Sequence, residues 1–259
     1  GTSKFDAGTN AIVLGETGNQ FTGAVKVVSA SDVTLVNAGD LKLDASTMSG
    51  KLNLTTVAGE ITQLGALTVG GAAKFDTGAK SIKLELANDF KDTVSISKAA
   101  NVTLVDTGAL NLGASEITGN LALTIGGDLT QVKDDVLKVT GTTGITVDSH
   151  LLTNIKLADA NNSLSGNVTV ALAHPAANPA LESIQDFELH NTAAGASSLS
   201  LPQINGNLKL LFDNSGVTLA GTTINGKLDI KAGGAINQSG PLTVAGTAKF
   251  ETGAFGIKL

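Results

Sequence analysis

Leu41, Ile61, Ile82 and Val102 each open a short triplet, "LKL", "ITQ", "IKL" and "VTL", and they follow one another at a step of about 20 residues. Alternation at period two sets the outer residues of a triplet on one face and the middle polar residue on the other, as in a strand buried on one side. Further triplets, among them "IVL" at 12, "VKV" at 25, "LNL" at 52 and "LTV" at 67, recur roughly every 6 to 13 residues, with bends of Gly, Asn, Asp, Ser or Thr between them. That spacing leaves no room for crossover helices, so a doubly wound sheet is excluded. An antiparallel sandwich has no reason to return like residues at one step, whereas a coiling chain that lays each strand on its counterpart one turn earlier does. The pattern predicts an all-β fold: a right-handed parallel β-helix, one elongated solenoid domain of about a dozen coils, ~50–60 Å long at ~4.8 Å per turn.

A longer beat runs over the short one. "DVTLVNAGDLKLDAS" at 32–46 returns as "NVTLVDTGALNLGAS" at 101–115, an offset of about 70 residues, and three coils of ~23 residues are the expected content of such a unit. "LTVGGAAKFDTGAKSIKL" at 67–84 returns as "LTVAGTAKFETGAFGIKL" at 242–259, with only five positions changed. The expected organisation is one β-helical segment over 1–259, with units at about 3–71 and 72–136, an irregular unit at 137–241, and the start of another at 242–259. Because both ends fall in the same phase of the motif, the chain reads as a segment of a longer rod. Phe5, Phe75 and Phe250 share one place in the phrase, as do Ile12, Ile82 and Ile257, and these six are the expected core stack.

Composition narrows the chemistry. Leu, Val, Ile and Ala supply most of the apolar content, with eight Phe and neither Trp, Tyr nor Cys. All 17 basic residues are Lys against 23 acidic ones. An acidic chain without guanidinium groups or large aromatic platforms is poorly equipped for nucleic acid, so no nucleic-acid partner is expected. No long apolar run and no charged start followed by an apolar stretch are present, so neither a membrane span nor a signal peptide is expected within these residues. Without Cys there are no disulfides or thiolates. Phosphate-cradling, zinc-protease, EF-hand and nucleophile-elbow motifs are all missing, so no catalytic residue, cofactor or metal is expected.

The regular beat loosens between about 132 and 200, with an insertion at 171–198. Asn178 before Pro179, followed by Glu182, reads as the N-cap, first position and first-turn acid of a short helix. All three histidines, His150, His174 and His190, fall in this zone. Asp148 with His150, and Glu188 with His190, stand at i, i+2 on one strand face; either pair could be half of a metal or acid–base site, but with no third ligand at characteristic spacing the expected role is a solvent-facing polar surface. His174, Glu182 and His190 are the candidate surface-binding residues, since long loops carry function more often than the elements they join.

The phrases "NQFTGAVKVVSASDVTLVNAGDLKLDAS", "GEITQLGALTVGGAAKF" and "GNLALTIGGDLTQ" resemble the repeats of filamentous-haemagglutinin-like exoproteins of Gram-negative bacteria, well over 3–131 and 199–259 and poorly between. The resemblance implies a stalk segment of a large secreted or cell-surface adhesin, not an enzyme, acting as a rigid spacer that presents a distal binding or toxin module in adhesion or biofilm formation. For the parent it implies two-partner or autotransporter export, an outer-membrane transporter partner, and a host-cell receptor or extracellular polysaccharide bound elsewhere. The family's Asn-Pro-Asn secretion domain is not in this chain. Two alternatives stand beside it: a binding module whose 171–198 insertion contacts a glycan or host protein, and a polysaccharide-active β-helix enzyme in which Asp148 or Asp186 would carry activity.

Overall fold

The computed structural model describes residues 1–174, 183–195 and 197–259. Among them there are 31 strands and no helix, hence none long and apolar enough to cross a membrane. Every pairing between strands is parallel, and the chain winds into a parallel β-helix of about 12 turns. Leu41, Ile61, Ile82, Val102 and Leu121 are successive register partners, one per turn, and all five are buried. Their amides bond to the turns on either side and their side chains face inward, so the core is one continuous apolar column from Val25 to Ile236. Each buried Leu, Ile or Val in it contributes roughly 1.5–3 kcal/mol.

Two long sheets form the sides of the rod, and a short third face closes the cross-section. In the first copy of the repeated phrase, Ser46–Met48 and Leu67–Val69 build that short face after the first-sheet strands and before the second-sheet strands. In the second copy, Ser115–Ile117 and Leu137–Val139 build it after the second-sheet strands instead. The change of edge takes place at the long strand Thr93–Ala99, which pairs with Ala73–Asp76 on one side and with both halves of Leu110–Ile117 on the other. Thr222–Ile224 and Leu242–Val244 return the short face to its original edge.

The long unit is not three coils. From Val33 the register runs through Leu52 and Ala73 to Val94, where three turns are complete. Val102, the counterpart of Val33 in the second copy, lies half a turn further round on the other sheet. Turns of about 20 residues are set by short corners, which the triplet spacing alone does not count.

This half turn also separates the expected core stack. Phe5 and Ile82 lie in the first sheet, Ile12 and Phe75 in the second; Phe250 is in the second sheet eight turns beyond Phe75, and Ile257 is exposed in the last first-sheet strand. The rings therefore do not stack on one another. Phe5 and Phe75 each take a local edge-to-face partner instead: Phe5 meets Phe21 at 5.9 Å and 87°, and Phe75 meets Phe90 at 6.1 Å and 85°.

Candidate functional site

The insertion flank is where the histidines gather. Val168–Leu172 carries the chain to His174, and Ile184–Asn191 takes it back into the second sheet, so the turn that separates Val168 from its partner Leu199 is enlarged. His174 Nε2 lies 3.0 Å from Asp148 Oδ1, and its ring stacks on His150 at 5.4 Å and 12°. His190 Nε2 lies 2.9 Å from Asp213 Oδ2, and the Lys209 ammonium donates to Glu188 Oε1 at 2.6 Å. The partners of Asp148, Glu188 and His190 thus come from the next turn, and not from the i, i+2 neighbour along the strand. Asp186 Oδ1 accepts the Asn207 amide at 2.7 Å, a corner bond between turns. Among the described residues no three His, Cys, Asp or Glu side chains are placed to hold a metal ion. Glu182 and the helix expected from Asn178 lie outside the described residues.

These pairs belong to a larger arrangement on the outer face of the second sheet. Lys156, Glu188, Lys209, Asp229 and Lys249 are consecutive register partners, so the sign of charge alternates at every turn. In-register stacking sets like residues ~4.8 Å apart, where equal charges repel and opposite ones attract. The first sheet differs. Its outer column Thr103, Ala122, Gly144, Thr169 and Ser200, which begins two turns earlier and runs beside the charged column for three turns, carries no charge.

A groove of roughly 570 Å³ opens where the short face changes edge, lined by Lys74, Ser95, Ser97, Glu116, Asp135 and Lys138 among others. Its rim mixes both signs of charge and it lies over the strand Thr93–Ala99.

Inside the corners runs a set of buried Asx side chains that sequence reasoning did not single out. Asn88 Oδ1 accepts the Leu67 amide at 2.9 Å while its Nδ2 donates to the Leu84 and Val105 carbonyls and to Gln63 Oε1. Asn162 repeats this with Leu137, Leu157 and Gln131. Asn37 Oδ1 accepts the Phe21 amide at 2.7 Å, and Nδ2 donates to the carbonyls of Gly39 at 3.1 Å and Asp40 at 2.8 Å. Asp106 Oδ1 accepts the Phe90 amide at 3.0 Å, but Oδ2 is buried with no partner. For Asn37 and Asp106 the signal in sequence is an Asx that ends a strand immediately before a bend; Asn88 lies inside the strand Ile82–Phe90 and Asn162 just before Ser163–Leu164, and neither carries that signal.

Fold and surface together define a parallel β-solenoid repeat protein. The chain belongs to the family described as repeats of unknown function (DUF5649), whose model matches residues 1–28, 30–97, 99–171 and 205–259. Two of the breaks, at 29 and 98, fall in the strands Val25–Ser29 and Thr93–Ala99, so the family's repeat and the half-turn unit share a boundary. No curated protein and no solved structure matches the chain.

Proposed function

We propose that this chain is a stalk segment of a large secreted or cell-surface adhesin, a stiff spacer that holds a distal binding or toxin module away from the cell. The observation that carries the reading is the unbroken parallel register: each turn is bonded to the next along both sides of the rod, over one continuous apolar core. Bending such a rod strains many backbone hydrogen bonds at once, so length is kept under load. The alternating charges of the second sheet, of which Lys209 and Glu188 form an ion pair, lie on the surface and add little energy each. Their register keeps like charges apart along the shaft.

In the organism that encodes it, replacing this segment by an unrelated solenoid of equal length preserves adhesion, and shortening it weakens adhesion in proportion. Loss of adhesion in the length-matched replacement would overturn the spacer reading. One observation favours a second reading, in which the insertion contacts a glycan or host protein: the family model matches on both sides of 172–204 and omits that stretch. Removing 171–198 then abolishes binding while the rod still folds; unchanged binding removes this reading.

A further inference from the structure

Asn37 and Asp106 occupy the same place in the two copies of the repeated phrase, at the ends of the strands Val33–Asn37 and Val102–Asp106. Each accepts the amide of a phenylalanine, Phe21 or Phe90, and those two are themselves equivalent between the copies, closing "NQF" in one and "NDF" in the other. Both Asx side chains are buried, with 2% and 1% of their surface exposed. What differs is the second atom of the head group. In Asn37 it is an amide nitrogen that donates to the carbonyls of Gly39 and Asp40. In Asp106 it is Oδ2, which has no partner, at a corner where Gly108 and Ala109 take the places of Gly39 and Asp40. An ionised Oδ2 offers only lone pairs, whereas a protonated Oδ2 is a donor, as is the Asn37 amide that meets the Gly39 and Asp40 carbonyls in the first copy.

We propose that Asp106 is a proton-operated latch: as the neutral acid it donates within the 106–109 corner as Asn37 does in its own copy, and as the carboxylate it loosens that corner. The inference stands on the internal comparison and does not depend on the spacer reading. Burial pushes the Asp106 carboxyl up to about 6; the Phe90 amide opposes the rise, Asp89 adds to it, and the Gly108 amide and Lys91 act against it. Asp89 and Lys91 form their own pair at 2.7 Å on the neighbouring turn. The other register neighbours, Asn88 below and Ile125 above, carry no charge. With the folded pKa above the ordinary carboxylate value, the native state holds the proton more tightly than the unfolded chain. The stability this contributes is fully present below about pH 4 and is lost as pH climbs through 6.

The test compares the intact chain with Asp106→Asn and with Asn37→Asp. Amide hydrogen-exchange protection is measured at Phe90 and residues 107–110 at pH 5 and pH 7.5, with a carbon-detected titration of the Asp106 carboxyl. We expect a midpoint near 6 and protection about tenfold greater at pH 5 than at pH 7.5, since pH 5 lies midway between the unfolded and folded carboxyl pKa and so realises about one of the two decades in the proton-binding constant. Asp106→Asn should hold the pH 5 level of protection at both values, and Asn37→Asp should acquire a pH response at residues 38–41. A carboxyl midpoint near 4, or a pH response at 107–110 that survives in Asp106→Asn, overturns the proposal. If Asn37→Asp does not fold, the titration and the Asp106→Asn comparison decide alone.

Discussion

The first copy of the phrase, around Val33–Asn37, and the second, around Val102–Asp106, share their hydrogen bonds far more closely than their surroundings. Ser46 Oγ accepts the Val27 amide and donates to the Asp44 carbonyl; Ser115 Oγ does the same with Ile96 and Gly113, the equivalent positions of the second copy. Asp32 Oδ1 accepts the Lys51 amide, and Asn101 Oδ1 accepts that of Asn120. Yet one copy runs its five-residue strand through the second sheet and the other through the first. Local bonding is therefore inherited with the phrase, while the side of the rod is set by how many residues the corners consume. A solenoid tolerates this because each turn touches only its neighbours.

Substitutions made in parallel in the two copies sharpen or break that equivalence. The largest effect is expected at the ring pairs: Phe75→Ala empties a fully buried site and should cost ~3–5 kcal/mol in urea unfolding, while Phe5→Ala, half-buried against Phe21, should cost less than half as much. Equal losses would mean that the two rings are packed alike. Next come the corner glycines. A Cβ on Gly50 would lie 2.1 Å from Asp32 Oδ1, and one on Gly119 2.3 Å from Asn101 Oδ1, so Ala at either site must push an acceptor off the amide it serves. Both are expected to lower stability by ~1–3 kcal/mol, and by similar amounts.

Ser46→Ala and Ser115→Ala each leave a buried amide unserved, at ~1–2 kcal/mol read from the same unfolding curves. A clear difference between them would show that Ile96, in the strand where the short face changes edge, is held differently from Val27. The smallest effect lies outside the two copies. Glu188→Lys puts three like charges in register with Lys156 and Lys209 and should cost no more than ~1 kcal/mol at low salt, fading by about 1 M, whereas Ala122→Lys on the uncharged column should be close to neutral.

The stacking itself was legible: Leu41, Ile61, Ile82 and Val102 stand in one column because a parallel register repeats the inward positions at the period of the turn. The phase of the long unit was not, because an alternating pattern marks inside and outside but carries no record of rotation about the axis. The partners of the polar side chains were not legible for a related reason. Along a strand, i and i+2 are ~6.6 Å apart, but the turn above is only ~4.8 Å away, so His190 finds Asp213 and Glu188 finds Lys209 across turns. A search one turn ahead of each polar position, at about 20 residues instead of two, would have found both pairs.

The half-turn offset has a consequence for anything displayed on the shaft. A feature written once into the phrase emerges on one flank in one copy and on the opposite flank in the next, as leaves are set alternately along a stem. A chain that multiplies this phrase decorates both flanks from a single stretch of sequence, with the distance between same-side features doubled to about seven turns, ~34 Å.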